Sequence, residues 1–306
     1  MQLEGVQYAC QRHQVILSGG TRAGFFLGDG AGVGKGRQIS GMIADNLARG
    51  RPQHVWLSTS SDLRLDAQRD LNDLGLHCKV IDGCQDLDTN TKAFGMNKDF
   101  KSGVLFSTYS TLIGSARGTK TSRIDQIIAW CGGETFDGLL IFDECHRAKN
   151  FQVGEKEEAS SKTSKCVIEL QKRLPLARVV YASATGVTEL ANLAYCERLG
   201  LWGEGCPFSD FEAFLKVVSK KGIFFLEMLA MELKREGAYV SRGLSFKRAE
   251  FDTINVALTE SQTKIYDQAA VLWRDLRLKM QDAAGTKVLA LLVQKVQTLT
   301  QIVLQR

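Results

Sequence analysis

Phe25-Phe26-Leu27-Gly28-Asp29-Gly30-Ala31-Gly32-Val33-Gly34-Lys35-Gly36-Arg37 decides the fold class, because an apolar run leads straight into a glycine-rich loop that opens an amphipathic segment. A strand feeding such a loop and then a helix is the context a phosphate-binding turn requires. Glycines let backbone N–H groups converge on phosphate oxygens, and the helix N-terminus adds partial positive charge. Lys35 is spaced to reach β- and γ-phosphate oxygens. The expected nucleotide-binding set is therefore Gly30, Gly32, Gly34, Lys35, Gly36 and Arg37.

Outward from this loop the same alternation continues. Apolar runs at Ala23 to Leu27, His54 to Ser58, Lys79 to Ile81, Val104 to Ser107, Gly138 to Phe142 and Arg178 to Ala182 are separated by helix-period segments. Ile39, Ile43 and Leu47 share one helix face, as do Leu63, Ala67, Leu71 and Leu74. Short buried strands alternating with amphipathic helices specify βαβ units, so the expected fold class is α/β, with a parallel sheet covered by helices on both faces. This reading assigns residues 1–186 to the nucleotide-binding domain and 187–306 to a mainly helical connector.

Thr89 to Gly103 and Asn150 to Lys165 are polar and read as exposed loops. Residues 188–242 look mainly helical around a Trp202-Gly203-Glu204-Gly205 turn, and Phe251 to Leu258 reads as one more strand. The tail from Thr259 to Arg306 reads as helix, with Leu292, Val296, Leu299 and Val303 in a near-heptad row too short for a coiled-coil seam. No internal repeat is visible.

The bulk composition fits this reading. At 306 residues, 44% hydrophobic and 24% charged, the chain matches a globular protein with a sizeable core. A net charge of +5 permits an acidic partner without requiring one. The eight cysteines have no zinc or redox spacing and read as free thiols of a reducing compartment. With no apolar run of membrane-span length and no signal-peptide layout, a soluble intracellular protein is expected.

The loop departs twice from the usual phosphate-binding pattern. Asp29 stands where the first glycine is usual, and Gly36 stands where Ser or Thr is usual after the lysine. The second departure removes a hydroxyl that normally ligates Mg²⁺, so the metal must rely on water, on Asp143, or on another hydroxyl such as Ser40 one turn along.

About 108 residues after Lys35, the apolar run Leu139 to Phe142 ends in Asp143-Glu144-Cys145-His146. A carboxylate at the C-terminal end of a parallel strand sits where open α/β sheets bind ligands. Asp143 is the expected Mg²⁺ ligand, through water, and Glu144 is the residue expected to orient or deprotonate the attacking water. With Lys35 these are the candidate catalytic residues, and ATP with Mg²⁺ is the expected cofactor. Tyr181-Ala182-Ser183-Ala184-Thr185-Gly186 follows the next strand. Its Ser183 and Thr185, with His146, are the candidate coupling residues between motifs.

These three motifs together resemble superfamily 2 helicases of the DEAD/DEAH kind, with a DECH box and a Ser-Ala-Thr motif. In detail the chain resembles the strawberry notch family. That resemblance is carried by the whole loop Phe25 to Arg37, by Trp56-Leu57-Ser58 and Asp62-Leu63, and by Phe142 to Asn150, Val179 to Gly186 and Arg198 to Gly205. The Gly36 departure and the Trp-Gly-Glu-Gly turn are among the features shared. The resemblance implies a RecA-like P-loop NTPase lobe, the first of two motor lobes, in a nuclear protein that couples ATP to chromatin and transcription.

By the same resemblance Gln2 takes the place of an adenine-reading glutamine. Thr108-Tyr109-Ser110-Thr111-Leu112 and Ser58, Thr59 and Ser60 take the places of segments that face a nucleic-acid track, where hydroxyls suit phosphate oxygens. Leu258-Thr259-Glu260-Ser261-Gln262 with Tyr266 is similar to a connector before a second lobe. The implied partners are nucleic acid or chromatin, DNA in particular, and transcription-regulatory proteins. In this superfamily the second RecA-like lobe supplies an arginine to the transferring phosphate. Nothing after Thr259 reads as such a lobe, so this chain alone is expected to bind ATP with little turnover. Two rivals stay open: a nucleotide-gated chromatin scaffold without turnover, and a small-molecule kinase using the same loop, against which the acidic box argues.

Overall fold

The computed structural model describes residues 1–83, 102–114, 122–148, 161–184, 193–245, 250 and 252–282. Among these, the six apolar runs form strands β1 (Phe25–Leu27), β2 (Gln53–Ser58), β3 (Val80–Asp82), β4 (Gly103–Thr108), β5 (Leu139–Asp143) and β6 (Arg178–Ala182). A seventh, β7 (Tyr239–Val240), completes a sheet of order β3-β4-β2-β5-β6-β1-β7 in which every pairing is parallel. Parallel strands covered on both faces need apolar side chains on both, which is why these segments read as continuous apolar runs.

Alternate residues along each strand enter two separate cores. On one face Phe25, Leu27, Trp56, Val104, Phe106, Ile141 and Val180 pack under Ala9, Ile39, Met42, Ile43, Ala67 and Leu71. Those last residues belong to helices α1 (Gln2–Arg12), α2 (Lys35–Ala48) and α3 (Leu63–Asp73). The opposite face, with Val55, Leu57, Leu105, Leu140, Phe142, Val179 and Tyr181, is covered by α4 (Arg123–Cys131), α5 (Lys162–Arg173) and α6 (Phe211–Lys221). Helix α7 (Ile223–Arg235) adds Phe225, Leu226, Leu229 and Leu233 to that face. A RecA-like lobe with helices on both faces is therefore the observed architecture.

Arg198, in the segment before the Trp202 turn, is a structural cation. It is 1% exposed and donates to the carbonyls of Gln171 (2.6 Å), Leu174 (3.0 Å), Pro175 (2.7 Å) and Arg22 (3.0 Å). It thereby ties the end of α5 and the Arg22 segment to the chain before the Trp202 turn. Trp202 stacks edge-on against Phe211 at 4.9 Å and lies 5.2 Å from Phe214, anchoring the turn to α6.

One expectation changes: the described part of the expected strand, Asp252 to Leu258, is exposed and forms no strand. Residues 193–242 are mainly helical, as expected, and β7 follows α7 as a two-residue strand too short to carry a period. The first compact unit runs from Met1 to Ser245 and includes β7. The second unit contains helix α8 (Glu260–Asp282), in agreement with the helical reading of its described part. Thr185, most of the two polar loops and the Leu292 to Val303 row lie outside the described residues. The seven described cysteines are free thiols, and among the described residues no helix is long and apolar enough to cross a membrane.

Two buried histidines make stability depend on pH. His54 accepts the Leu139 N–H at 3.2 Å through Nδ1, and His13 donates through Nε2 to the Val179 carbonyl at 3.1 Å. Burial above all, with nearby arginines, lowers both to about 3. The unfolded chain binds protons at both below about pH 6.5 while the folded chain does not, so stability falls as pH drops from 6.5 toward 3. Each histidine contributes at most about 1.4 kcal/mol per pH unit in that window. His54→Asn keeps an acceptor near the Leu139 N–H and removes one titration. Urea unfolding at pH 7 and pH 5 is expected to show a smaller loss for the variant than for the parent by about 1–2 kcal/mol; equal losses contradict the assignment.

Candidate nucleotide site

Because all seven strands are parallel, the ends of β1, β2, β4, β5 and β6 lie at one edge. The register is level there: Leu27 faces Ala182, Asp143 faces Ala182, and Ser58 faces Thr108. The loop after β1, the acidic box after β5 and Ser183 after β6 are thus neighbours by topology.

The loop begins as an extension of the sheet, with Gly28 N–H donating to Val240 O and Gly30 N–H to Arg242 O, each at 2.7 Å. Between them Asp29 turns inward and is fully buried. Its Oδ1 accepts from the Arg242 backbone N–H (2.9 Å) and Nε (3.0 Å), and its Oδ2 from Arg242 Nη2 (2.7 Å) and Gln38 Nε2 (2.8 Å). Burial alone raises the Asp29 carboxyl; the bonds from Arg242 and Gln38, with the Arg242 charge, bring it below the ordinary range. Arg242 also pairs with Glu4 at 3.0 Å and donates to Met1 O. The unusual aspartate is therefore an internal anchor that ties the loop to the strand beyond it and to α1.

Gly34 caps α2 with φ 92°, a left-handed conformation that glycine alone adopts without cost. A side chain there would also collide with Gln2, whose Nε2 lies 2.1 Å from the Cβ position. Gln2 donates to Val33 O at 3.0 Å, so the expected base-reading glutamine lies against the phosphate loop. The Lys35 amino group rests on the carbonyls of Asp29 (3.1 Å) and Gly30 (3.5 Å), inside the loop it is expected to serve.

Gly36 has a different cause. A Cβ there would stand 2.2 Å from Asp70 Oδ2 on α3, so glycine lets the two helices approach. Arg37 is engaged by the same helix, pairing with Asp73 at 2.6 Å and Asp70 at 3.9 Å, rather than with the loop. Ser40, the suggested substitute hydroxyl, is fully buried one turn below, and its Oγ has no hydrogen-bond partner.

At the end of β5 Asp143 accepts from Ser58 Oγ (3.0 Å) on Oδ2 and from the Glu144 N–H (3.0 Å) on Oδ1. Burial, joined by the Glu144 charge and opposed by the Ser58 bond, keeps its carboxyl above the ordinary range. Ser58 is thus a buried support for Asp143 and not a surface hydroxyl facing a track. Glu144 has φ 48°, the only described non-glycine residue with positive φ. Such a backbone costs of order 1 kcal/mol and marks a residue held in place by its surroundings. Glu144 Oε2 and Ser183 Oγ both lie 3.2 Å from His146 Nδ1, joining the box to the third motif.

The donor set fits Mg²⁺. Hard oxygens from one or two carboxylates, completed by water and phosphate, are its usual protein environment, and Asp143 and Glu144 offer such oxygens at the sheet edge. The described residues hold no cluster of three or more His, Cys, Asp or Glu side chains suited to a metal.

A family model described as P-loop containing NTP hydrolase pore-1 matches residues 1–268. The chain belongs to that family. The chain is also similar to Protein strawberry notch homolog 1 of Gallus gallus, 45% identical over 287 residues, covering 93% of this chain and 23% of that protein. Protein FORGETTER 1 of Arabidopsis thaliana is 46% identical over 285 residues, with 93% and 22% coverage, and Drosophila melanogaster Protein strawberry notch is 46% identical over 288, with 93% and 17%. The chain thus spans about a fifth of these relatives' lengths. Among solved structures, the Sulfolobus solfataricus SWI2/SNF2 ATPase core in complex with dsDNA superposes with a TM-score of 0.51 at 16% identity, covering 96% of this chain and 57% of that one. The strawberry notch resemblance and the P-loop NTPase fold both stand.

Sequence reading missed Arg242 and Gln38, which hold the loop, and placed Tyr109, which touches the box, in a track-facing segment. A buried carboxylate in a glycine loop demands a cation, and Arg242 was the available signal. Removing it leaves Asp29 buried and unpaired, which costs about 3 kcal/mol or more. Arg242→Ala is expected to lose that much by urea unfolding and to recover part of it when Asp29→Asn is added; a loss under about 1 kcal/mol, the scale of a surface pair, contradicts the anchor.

Proposed function

We propose that this chain is the ATP-binding first motor lobe of a strawberry notch-like regulator that acts on chromatin in the nucleus and couples ATP to transcription. The observation that carries the reading is the single edge at which Lys35, Asp143, Glu144, His146 and Ser183 meet, with His146 bridging box and third motif. Support for a nucleic-acid track comes from the fold shared with a DNA-bound ATPase core and from the accessible hydroxyls of Thr59 and Ser60 after β2 and Ser110 after β4. Transcription-regulatory proteins are the further partners this reading implies.

In this reading the loop amides and Lys35 bind the phosphates, the lysine exchanging the carbonyls of Asp29 and Gly30 for phosphate oxygens. Gln2 reads the adenine from its place beside Val33. Asp143, kept in orientation by Ser58, would hold Mg²⁺ through water, and the metal would supply charge neutralisation at the phosphates. Glu144 accepts the proton of the attacking water, and His146 with Ser183 passes the state of the site between motifs. Thr185, by sequence the partner of Ser183 in that role, belongs to the same proposal.

A nucleotide-gated scaffold without turnover is the second reading. Asp70 beside Gly36 favours it, because the position that usually supplies a metal ligand is given to helix contact. ATP turnover, measured with and without DNA, RNA and nucleosomes, separates the two: stimulation by one of these supports the motor, and Mg·ATP binding without turnover supports the scaffold.

Lys35→Ala is expected to weaken ATP binding at least about 100-fold while leaving the thermal midpoint near the parent's, since the lysine touches loop carbonyls and no core. Unchanged affinity in a folded variant contradicts the site. Glu144→Gln is expected to retain nucleotide binding and to lower any turnover by about 100-fold or more, because it removes a base and no phosphate contact. Equal turnover contradicts that role.

A further inference from the structure

Asp143 is held from two other strand ends. Ser58, closing β2, reaches its carboxylate, and Tyr109, just after β4, donates its hydroxyl to the Asp143 main-chain carbonyl at 2.8 Å. The Tyr109 ring is only 5% exposed and is packed in the core with Leu112, so the hydroxyl has a fixed approach to β5. Its neighbours face the other way. Thr108 Oγ1 lies 2.9 Å from Ser110 Oγ and 2.8 Å from Thr111 Oγ1, and accepts the Thr111 N–H at 3.2 Å. Ser110 is exposed, and Thr108 and Thr111 are half-buried.

Two bonds join these three hydroxyls and leave one O–H free to donate, so a phosphate oxygen can accept from the cluster, and acceptance from a second hydroxyl reorders its mutual bonds. The change falls on the helical turn Tyr109–Leu112, in which Thr108 is the cap and Tyr109 the first residue. One hydrogen bond then separates this turn from the carbonyl of Asp143, the residue preceding the strained Glu144.

We infer that Tyr109 is a positioning residue that couples nucleic-acid backbone contact at Thr108, Ser110 and Thr111 to the geometry of Asp143 and Glu144. The inference rests on the proposed nucleotide site and on nucleic acid as the track. Phosphate contact at the turn shifts the Tyr109 hydroxyl, and with it the Asp143 carbonyl and the carboxylate that precedes Glu144. By linkage, nucleotide at Asp143 changes affinity at the turn by the same factor.

The test uses this chain, a fluorescent non-hydrolysable Mg·ATP analogue and short duplex DNA. For the parent, saturating DNA is expected to change analogue affinity by about fivefold or more. Tyr109→Phe keeps the ring and removes only the hydroxyl; it is expected to bind each ligand alone as the parent does, with the coupling factor reduced to near one. A merely structural tyrosine would change the separate affinities or the thermal midpoint and leave the factor intact. Ser110→Ala, at an exposed position, is a second variant, expected to weaken DNA binding and reduce the factor. A Tyr109→Phe factor equal to the parent's, or a parent that binds both ligands without coupling, overturns the inference while the proposed function stands. A parent that binds the analogue but not DNA overturns it together with the nucleic-acid reading, and one that binds neither overturns the nucleotide site as well.

Discussion

The pairing of Asp29 with Arg242 is the constraint on which the arrangement of the site depends. A phosphate loop must expose its amides, so few of its own groups are free to hold its shape. Here a fully buried carboxylate in the loop takes two bonds from one guanidinium, one from the backbone of the same arginine and one from Gln38 on α2. A buried ion pair of this kind contributes modestly in net terms, but each partner is costly without the other. Its value is geometric. It joins the loop, the first helix and the strand after α7 into one unit, and it accounts for a strand order that places β7 next to β1.

The remaining groups follow from that unit and from a parallel sheet. Strand ends at one edge bring the box, the third motif and the hydroxyls of β2 and β4 within a few residues of one another. Burial raises the Asp143 carboxyl, and the Ser58 bond works against that shift. A metal cation at the site would act in the same direction as Ser58, since positive charge favours the ionised form, and the nucleotide phosphates would act against it. The strained Glu144 backbone is a local cost carried where chemistry requires a side chain to point in one direction.

Much of this was legible in sequence because buried parallel strands and a glycine loop are local signals. The six long runs all became strands, and the loop, the box and Ser183 came to one edge, as their positions after strands implied. What escaped was set by partners distant in sequence. Asp29 looked like a defect in a motif until Arg242, 213 positions on, was seen to hold it. Gly36 looked like a lost metal ligand, yet the space beside it belongs to Asp70 on another helix. Ser58 and Tyr109 sat in segments similar to track-facing motifs, and the half-turn of each strand end decides which residue faces out and which supports Asp143. β7 is two residues long, below the length at which alternation carries information. Asp252 to Leu258 had the composition of a strand, but a strand also needs an edge to pair with.

Backbone hydrogen exchange with and without Mg·ATP tests the account most directly, because it reports which segments the nucleotide touches without relying on turnover. The account predicts slowed exchange concentrated in the loop from Gly28 to Arg37 and in the box from Asp143 to His146, with the segment around Arg242 slowed through its bonds to Asp29. Saturating nucleotide that leaves those amides unchanged, or that protects a different surface of the lobe, would contradict it.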